Sequence, residues 1–174
     1  MPSWGYVLWR KPEDTTQTDQ PPRGMARTYT QLLNHIVFST KERRPLMPPD
    51  LRARLFPYMG GIIRQLGGVP ILINGVADHV HLLASPPTTT SLSDFVGKLK
   101  ANSARWVHET LPEHRMFGWQ AGYSAFTVSM SQKQGVLDYI ARQEEHHRKA
   151  TFEEELVVFL KKHEIQYDER YLFD

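Results

Sequence analysis

Residues 69–85 read VPILINGVADHVHLLAS, two apolar runs separated by a short polar step. The runs VPILINGV (69–76) and HVHLLAS (79–85) have strand length and are rich in aliphatic residues, so together they predict a β-hairpin. Two reversal points compete. Asn74-Gly75 is a strong turn dipeptide, but a turn there would cut the first strand short. A turn at Ala77-Asp78 leaves both strands whole and is the expected one. A strand repeats every two residues, so His79 and His81 emerge on one face and Val80 on the other. Two adjacent imidazoles are poor core filler, because each brings a donor and an acceptor that need partners. They suit a divalent cation or a phosphate oxygen held between them. The competing reading is a pair of imidazoles satisfied within a polar sheet face. Two histidines alone leave a cation short of ligands, so the metal reading needs a third.

On either side of this hairpin the chain alternates strand and helix signals. QLLNHIVFST (31–40) reads as a strand ending at the basic turn KERRP. In PDLRARLFPYMGGIIRQLGG (49–68), Leu51, Leu55, Met59, Ile62, Ile63 and Leu66 fall near helical spacing, with Asp50 as the expected N-cap and Gly67-Gly68 as the stop. Pro57 and Gly60-Gly61 should kink or interrupt that helix. Residues 88–111 predict a capped amphipathic helix with Leu92, Phe95, Val96, Leu99, Ser103, Trp106 and Val107 on one side. SAFTVSM (124–130) alternates like a strand. Residues 132–150 read as one helix after a Ser131 cap. Residues 152–165 read as a last helix, with acids at its start and lysines at its end, as the helix dipole favours. The order is strand, helix, strand, strand, helix, strand, then added helices. It predicts an α+β, ferredoxin-like split βαβ antiparallel sheet with helices on one face and added C-terminal helices.

Residues 1–24 differ from the rest. KPEDTTQTDQPPRG (11–24) is polar, Pro-rich and without periodicity, so the segment reads as a disordered and dispensable leader, and 25–174 as the single domain. The chain of 174 residues is long enough for one core. It has no cysteine, which removes disulfides, thiolate metal sites and cysteine nucleophiles and fits a reducing cytoplasm. No apolar run approaches the roughly 18 residues of a membrane span, and the N-terminus lacks the apolar core of a signal peptide. The net charge of +2 is unevenly spread: residues 25–100 hold nine Lys/Arg against four Asp/Glu, residues 101–174 nine against twelve. The basic half reads either as a solvated face or as the footprint of a polyanionic partner.

A second group of chemical side chains lies in the 132–150 segment. On one helix, Tyr139 and Gln143 would be stacked four residues apart. The phenol can serve as a nucleophile and the amide oxygen as a metal ligand. The competing reading is a boundary aromatic beside a surface glutamine. His146 and His147 extend the same face and are further candidates, or simply complement the helix dipole.

Taken together, HVHLL (79–83) followed by YIARQ (139–143) resembles the single-tyrosine HUH transposases of the IS200/IS605 type, HUH denoting histidine, hydrophobic residue, histidine. HIVFSTKERRPL (35–46), FGWQAGYSAFTVS (117–129) and FEEELVVFLKKHEIQYDERYLF (152–173) match further segments of that family in the same order. The REP-associated tyrosine transposases share this core. The resemblance implies a DNA transposase that cleaves and rejoins single-stranded DNA through a 5′-phosphotyrosine intermediate on Tyr139. It further implies Mg²⁺ or Mn²⁺ held by His79, His81 and Gln143, recognition of DNA hairpins at element ends, and a homodimer with active sites that can be composite. Arg43, Arg44, Arg52, Lys98 and Lys100 are the candidate phosphate contacts. Three other classes stay open: a non-catalytic DNA or RNA hairpin-binding protein of the same fold, a histidine phosphoryl-transfer or nucleotide-hydrolase enzyme, and a plain interaction module. The second would want a further histidine in the H-x-H run or a second H-x-T motif, and HVHLLAS has neither.

Overall fold

The computed structural model describes residues 7–8, 29–147 and 151–168. Strand β1 is Val7–Leu8, followed by β2 (Asn34–Ser39), α1 (Pro49–Gln65), β3 (Val69–Gly75), β4 (His79–Ser85), α2 (Leu92–Thr110), β5 (Ser124–Thr127), α3 (Lys133–Ala141), α4 (Gln143–His146) and α5 (Phe152–Lys162). At the centre, β3 pairs antiparallel with β4, placing Asn74 opposite His81 and Gly75 opposite Val80. The reversal runs through residues 76–78, where Val76 N–H donates to the His79 carbonyl at 3.1 Å. Asn74-Gly75 therefore stays inside the strand. Gly75 is needed there for want of space: a Cβ would lie 2.3 Å from the His79 carbonyl oxygen and 2.9 Å from Val80 Cα.

The sheet order is β1-β3-β4-β2-β5, and every pair is antiparallel. Without β1 this is the interleaved order of a split βαβ fold, as expected from the element succession. The two-residue period divides the strands cleanly. Ile36, Phe38, Ile73, Val80, Leu82 and Ala84 face one way and bury against Leu51, Leu55, Met59 and Ile63 of α1 and Phe95, Val96, Leu99 and Val107 of α2. On the opposite face, Leu72 and Leu83 pack against Ile140 of α3, and Phe126 against Leu156 and Leu160 of α5. His79 and His81 lie on this second face, covered by the added helices. No helix among the described residues is long and apolar enough to cross a membrane.

Several local expectations change. Pro48, not Asp50, is the N-cap of α1; Pro49 takes the first helical position and Asp50 lies in the first turn. Pro57 does not interrupt the helix. It sits on the exposed side, where the hydrogen bond it removes leaves a carbonyl that water can satisfy, while Leu51, Leu55, Met59 and Ile63 hold the inner face. The glycine stop holds: Gly67 has φ +82°, its N–H bonds Arg64 O, and Gly68 N–H bonds Ile63 O, the paired bonds of a Schellman motif. In α2, Ser91 is the cap, its side chain accepting from Asp94 N–H. Strand β5 ends at Thr127, three residues short of the expected end. Of the leader, Val7–Leu8 are described, and they form a strand on the edge of β3, with Val7 opposite Ile73 and Leu8 opposite Leu72. The rest of residues 1–24 lies outside the described residues.

Replacing Gly75 by alanine forces a Cβ into the β3–β4 backbone beside His79. Overpacking of this kind costs roughly 1–3 kcal/mol, and here the obstructing atoms are backbone, which yields least. Gly75→Ala is expected to fall at or above the top of that range in urea unfolding. Gly135→Ala, where a Cβ meets nothing within 4 Å, should be neutral or stabilising.

Candidate active site

Strand β4 carries His79 and His81 into complete burial, both at 0% exposure. One nitrogen of each ring has a partner. His79 Nδ1 lies 2.7 Å from Asp78 Oδ1, and His81 Nδ1 lies 2.9 Å from His35 Nε2. The other nitrogen, Nε2 in both rings, is buried without a hydrogen-bond partner. Burial, then the neighbouring imidazoles of His79, His147 and His146, hold His81 well below the ordinary histidine pKa, with Asp78 opposing weakly. The ring is therefore neutral at pH 7 and one nitrogen keeps its lone pair. Burial acts against the Asp78 carboxylate, but its hydrogen bond to His79 and the charges around it prevail, and its pKa is lowered.

The remaining groups arrive from α3, α4 and α5. The Tyr139 ring lies 6.0 Å from His81 and 6.2 Å from His35, edge-on to both. The expected single helix over 132–150 is broken at Arg142, with φ −100° and ψ 23°, so Tyr139 lies in the last turn of one helix and Gln143 begins the next. The break has a visible cause. Buried Asn74 donates its side-chain amide to Ile140 O at 2.7 Å and Ala141 O at 3.3 Å. On the far side of the break, Arg52 Nη1 donates to Gly75 O at 2.8 Å and to Glu144 Oε1 at 3.1 Å, tying α4 to the end of β3. The expected Ser131 cap is also absent; Gln132 is the N-cap residue of α3, and Ser131 bonds Ser129 instead.

Gln143 is fully buried, not a surface residue. Its Nε2 donates to Glu155 Oε1 at 3.4 Å, and its Oε1 is buried without a partner. Glu155 Oε2 lies 3.7 Å from His79 Nε2, 3.5 Å from His81 Nε2 and 3.1 Å from His147 Nε2. These four side chains offer ligand atoms that all lie within 4.8 Å of one another. Burial, opposed by His79 and assisted by Asp78, raises the Glu155 pKa to about 7. Two imidazole nitrogens and an amide oxygen, each buried and unpaired, with a carboxylate and a third imidazole beside them, form a donor set that suits a divalent cation. Sequence reasoning missed Glu155. The signal was present: Phe152, Glu155, Leu156, Phe159 and Leu160 follow the i, i+3, i+4, i+7, i+8 spacing of one helical face, so an acid occupies a core-facing position. It was masked by its neighbours Glu153 and Glu154, which read together with it as a dipole-favoured acidic start. Glu154 is indeed part of a capping box with Thr151.

The five candidate phosphate contacts divide. Arg44 and Lys98 are exposed. Arg43 pairs with Glu153 at 2.9 Å, and Arg52 is engaged with Gly75 and Glu144 as above. The Lys100 ammonium is half-buried, donates to the Gln120 and Gly122 carbonyls, and lies 5.3 Å from the Phe38 ring. Burial lowers its pKa. Lys100 thus fastens the 118–123 loop to α2.

Residues 28–143 match the family described as Transposase IS200 like. The chain is 30% identical over 118 residues to the ISDra2 transposase TnpA of Deinococcus radiodurans, covering 65% of this chain and 84% of that protein. It is 32% identical over 131 residues to the transposase for insertion sequence element IS200 of Salmonella typhimurium, covering 70% of this chain and 82% of that protein. A crystal structure described as a transposase from Deinococcus radiodurans superposes with a TM-score of 0.51 at 27% identity, covering 68% of this chain and 96% of that one. A REP-associated tyrosine transposase bound to a REP hairpin shares the fold, with a TM-score of 0.51 at 14% identity, covering 71% of this chain and 74% of that one. The family match ends at Gln143, so His147 and Glu155 lie beyond it.

The Asn74 amide is expected to be essential to the helix break. Asn74→Asp keeps the shape but turns a carboxylate on two carbonyls and removes both donated bonds, a loss of roughly 3 kcal/mol or more for a buried charged group. Urea unfolding measures the loss. Hydrogen exchange at the His146 and His147 amides should quicken in the same variant.

Proposed function

The chain belongs to the IS200-like transposase family, and from that premise we propose that it cleaves and rejoins single-stranded DNA with Tyr139 as the nucleophile, recognising hairpins at the ends of an element. The observation that supports this reading best is the set of unpaired buried atoms: His79 Nε2, His81 Nε2 and Gln143 Oε1. A burial that leaves three acceptor-capable atoms without donors costs stability, and a cation-binding role accounts for it. Packing alone does not.

The phenol of Tyr139 is the attacking group. A phenol free in water has a pKa near 10, so a phenolic nucleophile must lose its proton as its oxygen bonds to phosphorus. The phosphorus–O3′ bond breaks, the 5′ end stays on Tyr139 as a phosphotyrosine, and the freed 3′ oxygen takes up a proton. Phosphodiester is exchanged for phosphodiester, so the joining step can run by attack of a 3′-hydroxyl on the phosphotyrosine without an energy-rich cofactor. A divalent cation, Mg²⁺ or Mn²⁺, held by His79, His81 and Gln143 would supply charge neutralisation for the phosphate and the leaving oxygen. Asp78 holds the His79 ring by its Nδ1 atom. The break at Arg142 allows Gln143 to turn inward while Tyr139 stays against His81. Arg44 and Lys98, exposed and cationic, are the proposed phosphate contacts outside the site. Assembly as a homodimer, with the tyrosine helix placed on its own or the partner's histidines, belongs to the same proposal. The fold neighbour bound to a REP hairpin supports hairpin recognition.

A labelled single-stranded hairpin oligonucleotide incubated with Mn²⁺ is expected to give a protein–DNA adduct that survives denaturant. Tyr139→Phe should bind the same hairpin yet give no adduct, and His81→Ala should reduce adduct formation by orders of magnitude. Chelation should abolish the adduct and fresh Mn²⁺ restore it. An undiminished adduct from Tyr139→Phe would move the nucleophile elsewhere. Hairpin binding without any adduct from the wild-type chain would favour the non-catalytic binding protein.

A further inference from the structure

The segment HIVFSTKERRPL enters the family resemblance, yet nothing in the proposed chemistry uses its first residue. We infer that His35 is a positioning residue for the cation site: its Nε2 accepts the Nδ1–H of His81 and thereby leaves the His81 Nε2 lone pair facing the site. The inference rests on the reading of His81 as a cation ligand.

The sheet register explains how the contact arises. On β2 and β4, His35 pairs with Leu83 and Val37 with His81. His35 and His81 are thus diagonal neighbours on one face, within reach of long side chains. Their rings stack at 5.2 Å between centroids and 26° between planes, with His35 Nε2 2.9 Å from His81 Nδ1. His35 is itself 3% exposed. The Phe159 ring stands edge-on to it at 5.2 Å, Phe126 lies at 6.3 Å and Tyr139 at 6.2 Å. Enclosed on these sides, the His35 ring cannot turn freely, so it holds His81 in one orientation.

The tautomer follows from what lies around His81. A ring that binds a cation through Nε2 must carry its proton on Nδ1, and that proton needs an acceptor in a buried place. His35 Nε2 is the acceptor within hydrogen-bond distance. With the proton on Nε2 instead, the nearest carboxylate oxygen would be Glu155 Oε2 at 3.5 Å, a poor bond. His79 is served in the equivalent way by the Asp78 carboxylate, which is partly exposed. His81 lies deeper along the strand, where a neutral acceptor avoids burying a further charge. Partners of this kind fix ring orientation and ligand basicity, and their loss typically weakens metal binding about 10- to 100-fold.

The test compares His35→Leu, which fills the volume without an acceptor, with His35→Gln, whose amide oxygen reaches the place of Nε2. Mn²⁺ affinity is measured by titration on each full-length variant, at a temperature where circular dichroism shows it folded. His35→Leu should lose about 10- to 100-fold in Mn²⁺ affinity, His35→Gln should recover most of it, and hairpin binding without metal should be unchanged in both. Mn²⁺ binding that falls in His81→Ala but not in His35→Leu would overturn this inference alone. A His35→Gln variant as weak as His35→Leu would reduce His35 to packing and overturn it too. Absence of Mn²⁺ binding in the wild-type chain would overturn the cation reading and this inference with it. Should His35→Leu fail to fold, ¹⁵N imidazole NMR of the wild-type protein reads the His81 tautomer in the Mg²⁺ complex directly. A proton on Nδ1, bonded across to His35, is expected; a proton on Nε2 refutes the assignment.

Discussion

Everything in the site depends on the hydrogen-bond requirements of two imidazoles that β4 carries into full burial. The strand's two-residue period makes the placement unavoidable: Val80, Leu82 and Ala84 are drawn into the core under α1 and α2, and His79 and His81 must then face the other way. Once buried, four ring nitrogens need partners. Asp78 and His35 serve the two Nδ1 atoms, and both Nε2 atoms are left without a hydrogen bond, grouped with His147 and Glu155. A site built only for stability would have replaced one such ring by an aliphatic side chain, at little cost in volume.

The same logic shapes the chain that covers this face. A continuous helix from 132 to 150 would set Tyr139 and Gln143 on one stripe, one turn apart. Asn74 ends that helix early by taking the Ile140 and Ala141 carbonyls, and Arg52 fixes the next turn through Glu144. Both residues come from the hairpin side of the molecule: Asn74 sits opposite His81 in the β3–β4 ladder, and Arg52 reaches over the strand end at Gly75. The strand pair that presents the histidines therefore also sets where the tyrosine and the glutamine stand relative to them.

What was legible in the sequence follows from the range of the interactions involved. Alternation and helical spacing are local, so the six core elements, their order and the His79–His81 face could be read directly. The Ala77-Asp78 turn could be chosen because strand length outweighed a favourable Asn-Gly dipeptide. The interruption at Arg142 could not be read, because its cause lies on β3, more than sixty residues away. Arg52 and Lys100 read as free cations for the same reason: nothing near them in the chain reveals the carbonyls they serve. Pro57 does not end the helix, since a local breaker inside a helix with a well-buried inner face yields to tertiary packing. Glu155 lay in between, its place on an apolar helical face readable but hidden within an acidic run.

Substrate access puts one demand on this arrangement. With both Nε2 atoms wholly enclosed, no phosphate can approach them while Glu155 stands beside them and Phe152 lies 4.7 Å from the His79 ring. The enclosing helix α5 rests on the sheet through a small apolar group, Leu156 and Leu160 against Phe126 with Phe152, Phe159 and Tyr167 at its margin. Burial of a few such side chains is worth roughly 1.5–3 kcal/mol each, an amount that several phosphate contacts can match. A divalent cation can take a carboxylate and a phosphate oxygen together, so Glu155, beside both Nε2 atoms, can stay near a cation that also meets the phosphate. The proposed chemistry thus needs a path for the phosphate past the side chains of Glu155 and Phe152, while β4, held in the sheet by β2 and β3 on either side, keeps the two histidines in place.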